Sequence, residues 1–74
     1  MKLYLLRYDR QRGELLSIAE FGGQDFEGAN QALLAAEKAN PELEVVLLQA
    51  VSEKQLRATH SRYFGEFREL AASR

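Results

Sequence analysis

The residues best suited to chemistry sit together in the last third of the chain: Arg57, Thr59, His60, Ser61, Arg62 and Tyr63. Arginine, histidine and tyrosine are what a metal-independent ribonuclease uses, one group moving the 2′-hydroxyl proton while a guanidinium stabilises the pentavalent phosphate. The same residues have a structural use. Tyr63 and Phe64 can anchor a turn to the core while His60 and Arg62 cap or solvate a helix end, where cations are favoured. His60 and Ser61 are neighbours, so that pair alone does not form a nucleophile–base contact, and no acid is identifiably placed to orient the imidazole. The structural use is the one these residues favour, and the chain is read as a non-enzyme. Arg57, His60 and Arg62 stay as candidate contacts for an anion or a partner.

Other chemistries have less to work with. There is no cysteine and a single histidine, which excludes disulfides, thiolate metal sites and a multi-histidine centre in one chain. No metal or cofactor is expected. Gly22-Gly23 lies between a strand and a helix, where glycine loops cradle phosphate, but it lacks the spacing of either common fingerprint. Its helix opens with Asp25 and Glu27, which repel an anion, so the pair reads as a turn. The acids of the middle segment lack the regularity of a calcium loop, and Glu42 and Glu44 are expected to face water.

The elements that position these residues must fit within 74 residues, which makes one small domain, 1–74. Hydrophobic residues at 46% and charged residues at 28% are ordinary for a globular chain and argue against disordered or collagenous classes. No apolar run reaches the ~20 residues of a spanning helix, and Met1-Lys2-Leu3-Tyr4-Leu5-Leu6-Arg7 is interrupted too early for a signal peptide. A cytoplasmic location with no membrane contact is expected. The net charge of −1 gives no overall attraction to nucleic acid. It is unevenly placed, however. Lys2, Arg7, Arg10 and Arg12 against Asp9 leave residues 1–13 at +3, residues 14–53 stand at −7, and residues 54–74 return to +3. Either this is solvated charge mixing, or the two basic ends converge into one anion-attracting patch. Arg7, Arg10 and Arg12 with Tyr4 and Tyr8 offer a nucleic-acid grip, although those tyrosines also have a core to fill.

Residues 2–9 read as a strand, Arg10-Gln11-Arg12-Gly13 as a loop with positive φ at Gly13, and residues 14–21 as a second strand stopped by Gly22-Gly23. Asp25 caps a helix whose narrow stripe is Phe26, Ala29, Leu33 and Ala36. Gly28 weakens its first turn, and Asn40-Pro41 ends it. Residues 42–51 form a third strand. Val45-Val46-Leu47-Leu48 has no alternation, so both its faces should be covered. Ser52-Glu53-Lys54-Gln55 is a capping box in which Gln55 reaches back to the backbone of Ser52, with Val51 and Leu56 as a hydrophobic staple. That helix fades near 59–61, and Phe64, Phe67, Leu70 and Ala71 suggest a last short helix.

Pairing Asp9 with Glu14 in a regular hairpin puts Tyr4, Leu6, Tyr8, Leu15, Ala19 and Phe21 on one face and Leu3, Leu5, Leu16 and Ile18 on the other. A slip of one residue exchanges the second strand between faces and leaves both apolar. Something must cover the second face, either a partner's C-terminal helix or the chain's own residues 62–72. The expected fold is α+β, a three-stranded sheet with elements β-β-α-β-α-α and spatial order 2-1-3, because the first strand is apolar on both faces and suits the centre. The third strand is then an edge without proline or lysine in its apolar run, which predicts a homodimer joined near Val45 and Leu47. The competing order places that strand centrally, beside the second.

Val45-Val46-Leu47-Leu48, then Ser52, Leu56, His60, Tyr63-Phe64-Gly65 and Phe67, resembles a short tail module attached to some RelA/SpoT-type alarmone-synthetase-like bacterial proteins. The resemblance covers about a third of the chain, and Ser61-Arg62 stand where that module usually has Pro-Asn. It implies an accessory or interaction role in a bacterium and carries over no catalytic residue. The expected function is a small interaction module that self-associates and has a possible further protein partner. The alternative is a nucleic-acid-binding protein or ribonuclease using Arg57, His60 and Arg62.

Overall fold

A computed structural model describes residues 1–60 and Tyr63, beginning with β1 (Lys2–Asp9) and β2 (Glu14–Phe21). Asp9 organises the turn between them. Its Oδ1 accepts from the backbone N–H groups of Gln11 (3.0 Å) and Arg12 (3.1 Å), and its carbonyl accepts from Gly13 N–H at 2.7 Å. Gly13 has φ of 68°, the left-handed conformation that glycine adopts without a Cβ penalty.

The hairpin register differs from the regular one expected. Asp9 faces Glu14 and Tyr8 faces Leu15, but the register then shifts, so Arg7 faces Ser17, Leu6 faces Ile18, Leu5 faces Ala19 and Leu3 faces Phe21. Leu16 is the extra residue of a β-bulge and is half exposed. Burial decides the outcome. The bulge turns Ile18 toward Tyr4, Leu6 and Tyr8, and moves Ala19 and Phe21 to the face of Leu3 and Leu5.

α1 (Phe26–Ala39) begins at Asp25, whose carboxylate accepts from Gly28 N–H at 3.0 Å. A Cβ on residue 28 would lie 2.6 Å from that carboxylate, so the glycine that weakens the first turn also makes room for its cap. Asn40 closes the helix with its N–H on the Ala36 carbonyl, and Pro41 follows. The buried residues of α1 are Ala29 and Ala36, and Phe26, expected in that stripe, is 56% exposed. Methyl-sized residues let the helix approach the sheet closely, whereas Phe26 sits at its first position, beyond the packed turns.

β3 (Glu44–Ala50) pairs antiparallel with β1, setting Leu5 against Leu47 and Leu6 against Val46. It is shorter at both ends than the 42–51 expected. The sheet order is β2-β1-β3, making the fold α+β with β1 central and β3 an edge. α2 (Glu53–Thr59) begins at Ser52, whose Oγ accepts from Gln55 N–H at 3.2 Å. Gln55 Oε1 accepts from Val51 N–H at 2.8 Å and not from Ser52, one residue earlier than expected. Val51 is largely exposed while Leu56 is fully buried, so the core, and not a staple, holds this helix.

The two helices lie on opposite faces. Leu56 of α2 joins Tyr4, Leu6, Tyr8, Ala50 and Tyr63, with Leu15, Ile18, Val46 and Leu48 packed around them. α1 covers β1 and β3 on the other face, burying Leu3 and Leu5. The second face is thus covered by the chain's own α1. The suggested helix around Phe64, Phe67, Leu70 and Ala71 lies outside the described residues, as does Arg62.

Candidate functional site

The arginine–histidine cluster is held by its own helix. Arg57, in the last turn of α2, donates from Nε and Nη2 to Glu53 Oε2 at 3.1 and 3.0 Å, an i,i+4 pair on the helix surface. His60 is the C-cap residue, its N–H on the Leu56 carbonyl, and its Nδ1 lies 2.9 Å from Thr59 Oγ1. Thr59 Oγ1 donates to the Gln55 carbonyl at 3.0 Å. Arg57, Thr59 and the Nδ1 of His60 thus each have a local structural partner. Among the described residues, no group of three or more His, Asp or Glu side chains is placed to hold a metal ion.

Tyr63 behaves as the structural reading expects. It is buried, meets Tyr8 edge to face at 5.2 Å between ring centroids and 88° between planes, and donates to Glu44 Oε2 at 2.6 Å. Glu44 therefore does not face water as expected. It sits opposite Tyr8 in the sheet and takes the buried phenol, with Arg10 Nε 3.8 Å from its other oxygen. A buried hydroxyl needs an acceptor, and this carboxylate supplies it.

The basic N-terminal segment is largely neutralised. Lys2 pairs with Glu20 at 3.1 Å, Arg10 with Glu44, and Arg12 with Asp9 at 3.9 Å. Tyr4 and Tyr8 are buried, so they form no stacking platform for nucleic-acid bases. The Glu20 carboxylate accepting from Lys2 raises the lysine pKa above its usual 10.5, and burial raises the Tyr4 phenol above 10.0. Arg7 is different. It is half-buried, lies on the face opposite the tyrosines, and among the described residues bonds only neutral acceptors, Ser17 Oγ at 2.9 Å and Asn40 Oδ1 at 3.4 Å. The sequence carried a signal for it, an arginine inside an otherwise apolar strand, but only the bulge places Ser17 opposite.

Val45 and Leu47, the expected dimer residues, are half-buried on the edge strand and lie on the α1 side of the sheet. The helix flank nearest that edge is identified by elimination. Ala32, Ala35 and Ala39 border the β2 side, and about 100° per residue then turns Phe26 and Leu33, seven apart, toward β3. Phe26 is exposed and Leu33 half-buried. The apolar edge and an apolar helix flank are therefore adjacent. Among the described residues, no helix is long and apolar enough to cross a membrane. No protein-family model, curated protein or solved structure matches the chain.

Proposed function

We propose that the chain is a small self-associating interaction module, joined to a second copy along the outer edge of β3 and the adjoining α1 flank of Phe26 and Leu33. The observation that carries this reading is the apolar run Val45–Leu48 on an edge strand with no proline, lysine or bulge inside it. Two such edges meeting about a two-fold axis form one six-stranded antiparallel sheet, and each covers the other's backbone groups. Phe26 and Leu33 of both copies then approach across the axis. The resemblance of residues 45–67 to a bacterial accessory module agrees with a cytoplasmic, non-catalytic role. The nucleic-acid reading has less support, because Arg57, Lys2, Arg10 and Arg12 are all beside acids.

Light scattering at micromolar concentration tests the proposal. The expected mass is twice the 8.4 kDa of the chain, and a monomer mass would overturn the reading. Phe26→Glu changes an exposed residue in the first helical turn, where an acid is favourable, and should weaken the dimer about tenfold or more with the helix intact. Leu47→Lys guards the edge directly and should give a monomer. A dimer unaffected by either change, with folded circular dichroism spectra, would place the interface elsewhere.

A further inference from the structure

A groove of about 410 Å³ runs between α1 and β2. It exists because α1 sits over β1 and β3, and because the helix flank toward β2 carries only alanine: Ala32, Ala35 and Ala39. Leu5, Ala19 and Phe21 form the sheet wall. Arg7 lines this groove and also a smaller recess of about 220 Å³ beside Leu16, Ser17, Asn40 and Leu43, so its side chain stands where an apolar channel meets one of mixed lining.

The charge of Arg7 is what gives the groove a ligand. Among the described residues, each other arginine has an acid beside it, Arg10 with Glu44, Arg12 with Asp9 and Arg57 with Glu53, and Arg7 has none. Ser17 and Asn40 fix the guanidinium in position through two neutral bonds and leave other N–H donors and the full positive charge available. A half-buried cation among alkyl groups favours an anion, and the planar fork of arginine suits a carboxylate. The walls beyond it are methyl, isobutyl and phenyl groups, which suit an unbranched hydrocarbon. They offer no partners for the amides of a peptide. The volume lies within the few hundred Å³ usual for small-ligand sites.

We propose that this groove binds a medium-chain aliphatic carboxylate, with the carboxylate on Arg7 and the chain laid between Phe21 and the alanines of α1. The site is on the opposite side of α1 from the β3 edge, so it stands whether or not the chain dimerises there.

The test is a titration of the 15N-labelled full chain with octanoate, followed by amide and Arg7 Nε–H shifts. Saturable shifts are expected at Arg7, Ser17, Ala19, Ala32 and Ala39, with hexanoate weaker by about threefold per methylene removed. Octanol and octyltrimethylammonium should each bind at least about tenfold more weakly, since neither presents an anion to the guanidinium. Ala35→Leu places a larger side chain at the groove's lip and should abolish the shifts while leaving Arg7 untouched. Arg7→Gln, where it folds, should make octanoate and octanol equivalent. Octanol matching octanoate in the parent would overturn the proposal, as would shifts that are absent, unsaturable or confined to β3. Groove shifts that vary with protein concentration before any ligand is added would put a second copy there and overturn it equally.

Discussion

The two edge strands of this sheet are opposites. β3 is clasped from both faces, by α1 over Val45 and Leu47 and by α2 near Val46 and Leu48, while its outer edge carries no protective device within the apolar run. Among the described residues, β2 has little helix over its side chains, yet its edge is guarded by the Leu16 bulge and by Glu14 and Glu20 near its ends. Guarding an edge and covering a face are separate problems, and the chain solves one on each strand. The strand whose faces are covered is free to be uniformly aliphatic. The strand with little described helix over it mixes Ser17 and Glu20 among its apolar residues, and it is the one whose pairing is interrupted.

The largest expected effect follows from the clasp on β3. Leu56 is fully buried and is the only buried residue of α2, so Leu56→Ala should cost about 2–5 kcal/mol by lost burial and the cavity left behind. The same truncation at Leu15, half-buried on β2, should cost distinctly less. Urea midpoints at fixed m-value check both. Equal losses at the two sites would mean that β2 is held as firmly as β3, and the contrast between the strands would fail.

A smaller effect is expected from restoring a regular β2. Deleting Leu16 removes the bulge while keeping Tyr8 opposite Leu15 and Arg7 opposite Ser17, and the half-exposed leucine gives up little packing. The variant then has two regular edges. Its mass by light scattering should grow with concentration beyond that of the parent, though Glu14 and Glu20 limit the growth. An unchanged mass would show that the bulge serves only to aim Ile18 into the core.

Much of this arrangement was legible in the sequence because each signal had a single physical cause. Gly13 in the hairpin loop, the Asp25 and Ser52 caps, the stop at Asn40-Pro41 and the unbroken run Val45–Leu48 all act within a few residues. The 2-1-3 order followed from β1 being apolar on both faces. The register of β2 was not legible, since either register leaves both faces apolar and only packing of Ile18 against Tyr4, Leu6 and Tyr8 decides between them. Phe26 followed the helical period but lies at the helix's first position, where the period no longer implies contact. Glu44 alternated as a surface residue does, and its buried partner, Tyr63, stands 19 residues away. His60 was legible as a helix-end cap, whereas the pairing of Arg57 with Glu53, four residues earlier on the same helix, was not read. Arg7 drew no separate attention, because its environment is assembled from β2 and the end of α1.

The smallest effect concerns how β2 is tied to β1 at the end far from the turn. Lys2 and Glu20 pair there at 3.1 Å, and buried Tyr4 stands opposite Glu20. Lys2 is raised above 10.5 chiefly by its hydrogen bond to Glu20, and Tyr4 above 10.0 chiefly by burial. Both groups thus hold a proton more tightly in the folded chain than in the unfolded one. Their contribution to stability is fully present below about pH 10 and is lost as pH rises through the raised values. On the other side of β1, Leu48, Leu47 and Val46 stand opposite Tyr4, Leu5 and Leu6 and have nothing to titrate, and the Tyr63 phenol on Glu44 of β3 lies at the far end, beside Tyr8. Thermal midpoints should therefore hold steady from pH 8 to 10 and fall above that. The side-chain resonances of Phe21 on β2 should change before those of Leu47 on β3, which stands opposite Leu5 on the face away from Tyr4. Glu20→Gln removes the charge that raises both pKa values, and should shrink the alkaline fall while lowering the midpoint slightly at pH 8. A midpoint flat through pH 11, or Leu47 responding first, would show that the alkaline weakness does not lie between β1 and β2.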